Sequence, residues 1–447
     1  MDRARLAALL DVEQERFRRT HPRAAARHAA ASALLGGVPM PWMMRWAGGF
    51  PVVAAHAQGA RLTDTDGNEY VDLCLGDTGA MAGHAPPPVV AAAAEQLARG
   101  ATLMLPTGDA EIAAGELAGR FGLPRWLFTL SATDANRTAL RIARHATGRD
   151  KVVCFSYSYH GGVDETFAVR RATDGATVAR EGSVGPPVDV AQTTRAIEFN
   201  DVDALREALA PGDVACVIAE PAMTNMGIVL PEPGYHDELR GLTRAAGTLL
   251  LIDETHTFSA GPGGATRQWG LEPDMLSIGK AIAGGVPSGA LGLSAALADQ
   301  ILGDPSADLE DVGGVGGTLA GNALSLAATR AALTEVLTPA AFEHAIAVAT
   351  RLREGIESVI GSSGLPWHVL QLGARVEYRF SPTPPTCGSE SRLIDEPLLE
   401  RFLHLHALNR GVLVTPFHNM LLACPATTLA DADRHTEVFA EAVAEIA

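Results

Sequence analysis

Six short apolar runs, separated by helix-like stretches, constrain the fold of this chain more than any other feature of its sequence. Two of them, "VACVIA" and "TLLLI", do not alternate with polar residues, as expected for strands that are covered on both faces. Repeated strand–helix units predict a mainly parallel sheet with right-handed crossovers. The six runs cover residues 125–130, 151–157, 214–221, 248–254, 275–279 and 289–294.

The same pattern divides the chain into a large and a small domain. We predict an α/β fold with a large domain over residues 96–330, in which helices cover the mainly parallel sheet. A smaller α+β domain takes both chain ends, residues 1–95 and 331–447. A DG turn within residues 61–76 predicts a β-hairpin. The proline- and serine-rich stretch 381–392 predicts an exposed loop.

Charge, hydropathy and cysteine usage exclude several classes of partner. The formal net charge of −17 argues against nucleic acid or an anionic membrane, since both select basic surfaces. No apolar run approaches the ~18 residues that a membrane-spanning helix needs. Five cysteines lie far apart without a CxxC pair, which favours neither a disulfide framework nor a metal site. We therefore expect a cytoplasmic protein without a bound metal that acts on small molecules.

Polar side chains follow several of the predicted strands, where a parallel sheet binds its ligands. Ser131, Ala132 and Thr133 open a helix, and their hydroxyl and N–H groups suit a phosphate; an ordinary N-cap is the alternative. Tyr159 offers a ring that can stack on a flat heterocycle, although an exposed Tyr-His pair such as Tyr159 and His160 is also common without a ligand.

Carboxylates and a lysine end three further strands. Glu220, with Asn225 after it, is either a site residue or the partner of a structural arginine. Asp253 and Lys280 end two successive strands, and burial turns a lysine into a nucleophilic amine. Pyridoxal 5'-phosphate needs a phosphate cradle, a stacking ring, a carboxylate for its pyridine nitrogen and a lysine for its aldehyde. The coincidence of all four predicts this cofactor.

The order of these motifs resembles that of class III aminotransferases, within the fold-type I pyridoxal phosphate enzymes. The similar segments are "SATDAN", "YHG", "EPAMTNMG", "DET", "SIGKAIAGGVPSGALG" and "GTLAGNALSLAA". The resemblance covers the chain from about residue 35 to its end. The "NMG" after the Glu-Pro pair is most similar to the glutamate-1-semialdehyde aminomutase branch. The resemblance implies an aspartate aminotransferase-like large domain and an obligate homodimer.

The resemblance also implies a role for each matching residue. Lys280 would hold the cofactor as a Schiff base and move the proton of the substrate carbon, and Asp253 would pair with the pyridine nitrogen. The other implied cofactor contacts are Ser131, Ala132 and Thr133 at the phosphate, Tyr159 and Thr255 against the two ring faces, Asn225 near the phenolic oxygen, Glu220 nearby, and Thr318 of the partner subunit at the phosphate.

Departures from the family pattern bear on the substrate. The family's DEVxTGFR reads "DETHTFSA" here, so its arginine is absent and His256 has no implied role. The segment "GGVPMPWMMRWAGGFP" (36–51) places Trp42 where some β-amino-acid transaminases have a carboxylate-binding arginine. We expect Trp42 or Met43 to line the substrate pocket, with His160 and His256 as further contacts. Packing of the segment as a lid or in the dimer is the alternative.

The leading expectation is an aminotransferase that uses the Lys280 Schiff base. It would move an amino group from an amine or amino acid with an apolar part to a keto or aldehyde acceptor. The alternative is an isomerase on the same site, either an aminomutase or an amino-acid racemase. A nicotinamide dehydrogenase finds support only in "GGVGGT" (313–318), which lacks the GxGxxG spacing. A non-catalytic protein on this fold would have lost Lys280 or Asp253.

Overall fold

The computed structural model describes residues 2–185 and 188–446. The chain forms two compact units. The first unit consists of Met1–Pro86, Ala340–Pro384 and Ile394–Ala447, and the second of Pro87–Pro339 and Pro385–Leu393. The sequence placed the two main divisions at 95/96 and 330/331, whereas the units divide at 86/87 and 339/340.

The strands of the described residues form one seven-stranded sheet, two smaller sheets and a two-stranded ribbon. In chain order they are β1 (Ala54–Gln58), β2 (Arg61–Asp64), β3 (Glu69–Asp72), β4 (Arg125–Thr129), β5 (Lys151–Phe155), β6 (Ala168–Arg170), β7 (Thr177–Ala179), β8 (Thr194–Ile197), β9 (Val214–Ala219), β10 (Leu249–Asp253), β11 (Met275–Ile278), β12 (Gly289–Leu293), β13 (His368–Leu372), β14 (Arg375–Arg379), β15 (Val412–Leu413) and β16 (Met420–Leu422).

The α-helices lie before, between and after these strands. In chain order they are α1 (Arg3–Thr20), α2 (Pro22–Ala30), α3 (Pro87–Arg99), α4 (Gly108–Phe121), α5 (Ala132–Thr147), α6 (Val202–Leu209), α7 (Tyr235–Ala246), α8 (Gly264–Gln268), α9 (Ala295–Leu302), α10 (Ala323–Ala331), α11 (Pro339–Ser363), α12 (Gly388–Leu393), α13 (Pro397–Leu408) and α14 (Leu429–Ile446). Within the part of the chain that the structure describes, no helix combines the length and apolarity that crossing a membrane requires.

The second unit is built on a seven-stranded sheet with the order β4-β12-β11-β10-β9-β5-β8. Its strands are parallel except for β12, which runs antiparallel to both β11 and β4. Every residue of β9 and of β11 is buried, because these apolar strands are covered on both faces. The predicted α/β fold with a mainly parallel sheet is confirmed, and all six predicted strands are present.

Helix α5 shows how the sequence sets an element that later carries the site. The Ser131 side chain accepts the Asp134 N–H at the N-terminus, and Gly148 ends the helix in the left-handed conformation at φ 64°. Its buried residues include Ala135, Ala139 and Ile142, a spacing that gives the helix one apolar face. This face packs on β9, β11 and β12, so the start of α5 is fixed at the edge where the parallel strands β9 and β11 end.

The first unit contains two smaller sheets, with the orders β1-β2-β3-β15 and β13-β14-β16. Strands β2 and β3 are antiparallel, which confirms the hairpin predicted from the DG turn. Strand β15 pairs with β3 in parallel, so the unit joins the two ends of the chain in one sheet. The small domain therefore forms from both chain ends, as its α+β pattern predicted.

The prediction of an exposed loop over residues 381–392 is correct for 381–387, which form no helix or strand, but wrong for 388–392. Residues 388–393 form α12, in which Gly388 and Ser391 are buried. A side chain at position 388 would meet Ser156 and Met223, and the Ser389 hydroxyl donates to Glu198 at 2.6 Å. Composition suggested solvent exposure, but small residues are also what a helix needs to pack closely on another backbone.

The backbone contacts of Gly289 and Gly241 predict opposite effects of alanine. A Cβ at Gly289 would lie against the Ser131 carbonyl and 2.6 Å from Thr129 Oγ1, so we expect Gly289→Ala to destabilise the protein by about 1–3 kcal/mol. Gly241 lies within α7 with nothing within 4 Å of its Cβ position, so Gly241→Ala is expected to stabilise by about 0.5–1 kcal/mol. Thermal unfolding of both variants measures the difference. A Gly289→Ala protein as stable as the wild type would contradict the packing described here.

Candidate active site

Three neighbouring parallel strands end in ionisable side chains. Asp253 is the last residue of β10 and pairs with Ser277 of β11, two residues before the chain turns into Gly279 and Lys280. On the other side, Ile252 pairs with Ala219 of β9, which directly precedes Glu220. The register therefore brings the predicted Glu220, Asp253 and Lys280 to one edge of the sheet.

The Asp253 carboxylate is buried, and both of its oxygens accept hydrogen bonds. Its Oδ2 accepts from Asn136 Nδ2 and from His160 Nδ1, both at 2.9 Å, and its Oδ1 accepts from the Thr255 N–H at 3.1 Å. His160 must donate through Nδ1, because an ionised carboxylate only accepts. Asn136 also donates to the His160 carbonyl at 3.1 Å. These contacts fix the carboxylate from helix α5, from the segment after β5 and from its own turn.

These bonds keep Asp253 negatively charged. Burial by itself raises the pKa of this carboxyl, but the hydrogen bonds from His160, Thr255 and Asn136 and the charge of His160 lower the pKa to about 2. A carboxylate that stays ionised near neutral pH is the partner that a protonated pyridine nitrogen requires.

Lys280 has a strained backbone and a partner for its amine. Its φ of 50° lies in the left-handed region, which is costly for a residue with a side chain and occurs preferentially at functional sites. Its Nζ lies 2.7 Å from Nε2 of His256, and both residues are half-buried. His256 thus lies at the lysine, although the sequence suggested only a substrate contact for it.

The predicted phosphate cradle lies at the N-terminus of α5. Ser131 caps Asp134, so the N–H groups of Ala132 and Thr133 have no acceptor within the helix. Backbone packs closely on this turn: a Cβ at Gly279 would lie 2.8 Å from the Ala132 nitrogen, and one at Gly161 would lie 2.8 Å from Thr133 Cβ. The helix start therefore offers N–H groups to an anion, and the close packing of Gly279 and Gly161 holds this turn in place.

The other predicted cofactor contacts lie on the same unit. Tyr159 is 43% exposed, so part of the residue is accessible to a ligand. Thr255 is buried, and its hydroxyl has no hydrogen-bond partner among the described residues. Asn225 donates from Nδ2 to the Tyr157 carbonyl at 3.2 Å, and Glu220 accepts from the Thr224 hydroxyl.

For three predicted residues the structure shows only the local surroundings. Trp42 and Met43 belong to a short 3-10 helix, Pro41–Met44, of the first unit. There the Trp42 ring meets Phe417 edge to face, with ring centroids 6.1 Å apart. Thr318 is exposed in a turn of the second unit. The roles of these three residues stay predictions.

Asn136 and Glu254 are the residues that sequence reasoning missed. Asn136 is fully buried on the apolar face of α5, and a polar residue among alanines and leucines at helical spacing was the available signal. Glu254 is buried as well; it accepts from the Thr257 hydroxyl at 2.6 Å and from the Thr266 N–H. Burial raises the pKa of Glu254 against these bonds. This carboxyl anchors the turn that carries His256.

The donor set fits pyridoxal phosphate. The start of α5 supplies N–H groups for a phosphate, Asp253 a fixed negative charge, and Lys280 an amine at the adjacent strand end. Thr255, whose hydroxyl has no hydrogen-bond partner among the described residues, follows β10. The partly exposed Tyr159 follows β5. Each chemical group of the cofactor therefore has a complementary side chain on this unit.

Comparisons with known proteins agree with this assignment. Residues 42–443 match the family described as Aminotransferase class-III. A glutamate-1-semialdehyde 2,1-aminomutase of Roseiflexus castenholzii is 36% identical over 392 residues, 87% of this chain and 88% of that protein. The crystal structure of a glutamate-1-semialdehyde-aminomutase from Pseudomonas aeruginosa PAO1 is 48% identical, covers 100% of both chains and has a TM-score of 0.97. A lysine-to-alanine variant of that protein, also 48% identical over 100% of both chains with a TM-score of 0.97, was solved in complex with PMP.

These findings confirm one expectation and overturn another. The cofactor is pyridoxal phosphate, as predicted. The leading prediction of an aminotransferase, a transferase with separate amino donor and acceptor, is wrong. The similar proteins carry the name of an intramolecular aminomutase, so the isomerase alternative fits better. The motifs misled because both reactions use the same cofactor contacts.

The lowered pKa of Asp253 predicts an acid-dependent contribution to stability. The folded-state pKa lies below the unfolded value of 3.8, so the contribution is present above that value and is lost as the pH falls towards about 2. We expect the Asp253→Asn apoenzyme to be less stable than wild type by about 2 kcal/mol near neutral pH. The difference in the free energy of unfolding between the two proteins, measured by urea unfolding, should become smaller below pH 4. Asp299→Asn, at an exposed site, is the control, and a gap that is constant with pH would contradict the assignment.

Proposed function

Because the chain belongs to the class III aminotransferase family, we propose that it is a pyridoxal-phosphate-dependent 2,1-aminomutase. Its substrate would be an amino aldehyde of the glutamate-1-semialdehyde type, in which the amino and oxo groups exchange between adjacent carbons. Similar proteins with that name span nearly the whole chain, which supports both the reaction and the substrate class.

The position of Asp253 and Lys280 at the ends of two adjacent parallel strands is the observation that carries the proposal. The β10–β11 register holds an ionised carboxylate and an amine at one sheet edge, with the start of α5 packed over the same edge. This arrangement holds a charged heterocycle, its phosphate and its aldehyde at three fixed points.

The residues of the second unit would divide the work of holding the cofactor. Ser131, Ala132 and Thr133 bind the phosphate with N–H and hydroxyl groups, and Asp253 holds the ring nitrogen in its protonated form. When bound, pyridoxal phosphate supplies an electron-withdrawing ring that makes the C–H bond next to the substrate's amino group acidic. Tyr159 and Thr255 enclose the ring, with Asn225 and Glu220 on the side of its phenolic oxygen.

Lys280 would carry the proton steps of the isomerisation. Its Nζ takes a proton from one substrate carbon and delivers a proton to the neighbouring carbon. The amino and oxo groups then change places, so the product has the composition of the substrate. Because nothing leaves, one small molecule replaces the predicted pair of amino donor and carbonyl acceptor.

The substrate contacts rest on the sequence alignment. Trp42 and Met43 would give the pocket an apolar wall, with His256 as a polar contact. His160 was the other expected contact, but its side chain is buried and hydrogen-bonded to Asp253. We also propose a homodimer and a cytoplasmic location, the latter from the wide spacing of the five cysteines.

Product analysis tests the reaction. Purified enzyme is incubated with glutamate-1-semialdehyde in the absence of other amines and carbonyl compounds. We expect the isomer with its amino group on carbon 1 to form in wild type and in Lys151→Ala, and rates to fall at least 10²-fold in Lys280→Ala. Release of a keto acid without the isomer would overturn the proposal, and so would an unchanged substrate.

Subunit mixing tests the proposed contribution of Thr318 across a dimer. Lys280→Ala and Thr318→Asp are each expected to be inactive, the latter because a carboxylate repels the phosphate. If Thr318 of the partner subunit completes each site, a mixed dimer of the two variants contains one site with both residues intact. Activity should then reappear on mixing, to about half of the wild-type value per mixed dimer. No recovery in mixed dimers isolated with two different affinity tags would contradict a shared site.

A further inference from the structure

The amine of Lys280 and the imidazole of His256 form a pair of bases. Nζ and Nε2 are 2.7 Å apart, so one nitrogen donates a hydrogen to the other. Both side chains are half-buried, and two positive charges at this distance would repel strongly. The geometry therefore favours one positive charge on the pair, with one hydrogen lying between the two nitrogens.

The turn that carries His256 is fixed at both ends. Glu254, the second residue before it, donates its N–H to the Ser277 carbonyl at 2.9 Å. The Glu254 carboxylate in turn accepts from Thr257 and Thr266. The His256 carbonyl accepts from the Ser259 hydroxyl at 3.0 Å. These bonds hold the turn so that the imidazole lies next to Lys280, which follows the end of β11.

The other titratable groups of the surrounding elements have their own partners. On the same turn, Asp253 accepts from Asn136, His160 and Thr255, and Glu254 is engaged as described. At the start of α5, Asp134 accepts the Ser131 hydroxyl at 2.9 Å. Strands β11 and β12 carry no titratable side chain. Apart from Lys280 and His256, the titratable groups named here are thus engaged in hydrogen bonds of their own.

We propose that His256 is a positioning residue that takes the proton from Lys280 Nζ and returns it during the reaction. The inference rests on the proposed proton-transfer role of Lys280. In each exchange one N–H bond forms and one breaks, the positive charge moves with the proton, and no bond to carbon changes. A second nitrogen at the lysine allows one amine to act as a base at one substrate carbon and as an acid at its neighbour.

The sequence makes a direct test possible, because it contains only two lysines, Lys151 and Lys280. Apoenzyme labelled with 13C at lysine Cε gives one NMR signal for each. Lys151, whose Nζ donates to the Ala191 carbonyl at 2.6 Å, is an internal reference. For Lys280 we expect two inflections with pH in wild type, since coupled groups titrate in two steps. His256→Gln keeps a hydrogen-bonding side chain without a titrating one, so a single inflection should remain.

Kinetics gives a second readout on the loaded enzyme. In His256→Gln we expect kcat to fall about tenfold or more with little change in KM, and the acidic limb of the kcat profile to move. His145→Gln makes the same chemical change at a surface ion pair with Asp304 and should leave both the profile and the Lys280 titration unchanged.

Two results would overturn the proposal: a single Lys280 inflection in wild type, or a Lys280 titration that is the same in wild type and His256→Gln. If His256→Gln does not fold, His256→Asn replaces it, and the wild-type curve by itself still decides. Because the titration uses apoenzyme without substrate, its failure is distinguishable from a failed isomerisation assay.

Discussion

A carboxylate buried in a protein core is stable only when hydrogen bonds or opposite charges replace the water that it has lost. Asp253 meets this condition with donors from three parts of the chain: Asn136 on α5, His160 after β5, and the Thr255 N–H on its own turn. Because Asn136 lies on the helix whose first turn is the proposed phosphate cradle, the same contact fixes that turn relative to the charge of Asp253. The cofactor site therefore depends on this one network.

The sheet supplies the rest of the geometry. Parallel neighbours β9, β10 and β11 end at the same edge, so side chains far apart in sequence meet without a dedicated loop. Small residues let the backbone segments close up there: Gly279 and Gly289 pack against Ala132 and Ser131. Lys280 directly follows Gly279 and has a left-handed backbone at φ 50°. The close packing of Gly279 on Ala132 compensates for this strain.

Recognition of the cofactor and choice of reaction are separate properties of this site. The residues that match the motifs are predicted to contact groups of the cofactor that transfer and isomerisation share, so they do not distinguish the two reactions. The side chain that stands out at Lys280 is His256, at a position where the motifs imply no role. A nitrogen base placed directly on the lysine affects how protons move, which is the step that an aminomutase must perform twice on one substrate.

The sequence by itself determined the α/β fold, the strands of the large sheet, the cofactor and the residues expected to hold it, because continuous apolar runs and the polar residues that end them are local signals. It did not place Asn136 beside Asp253, His256 at Lys280 or residues 388–393 in a helix. Each of these depends on which segments meet across many residues, and a linear pattern does not encode that. Only the tertiary structure decided those contacts, since burial and a distance of about 3 Å turn an ordinary polar residue into part of a site.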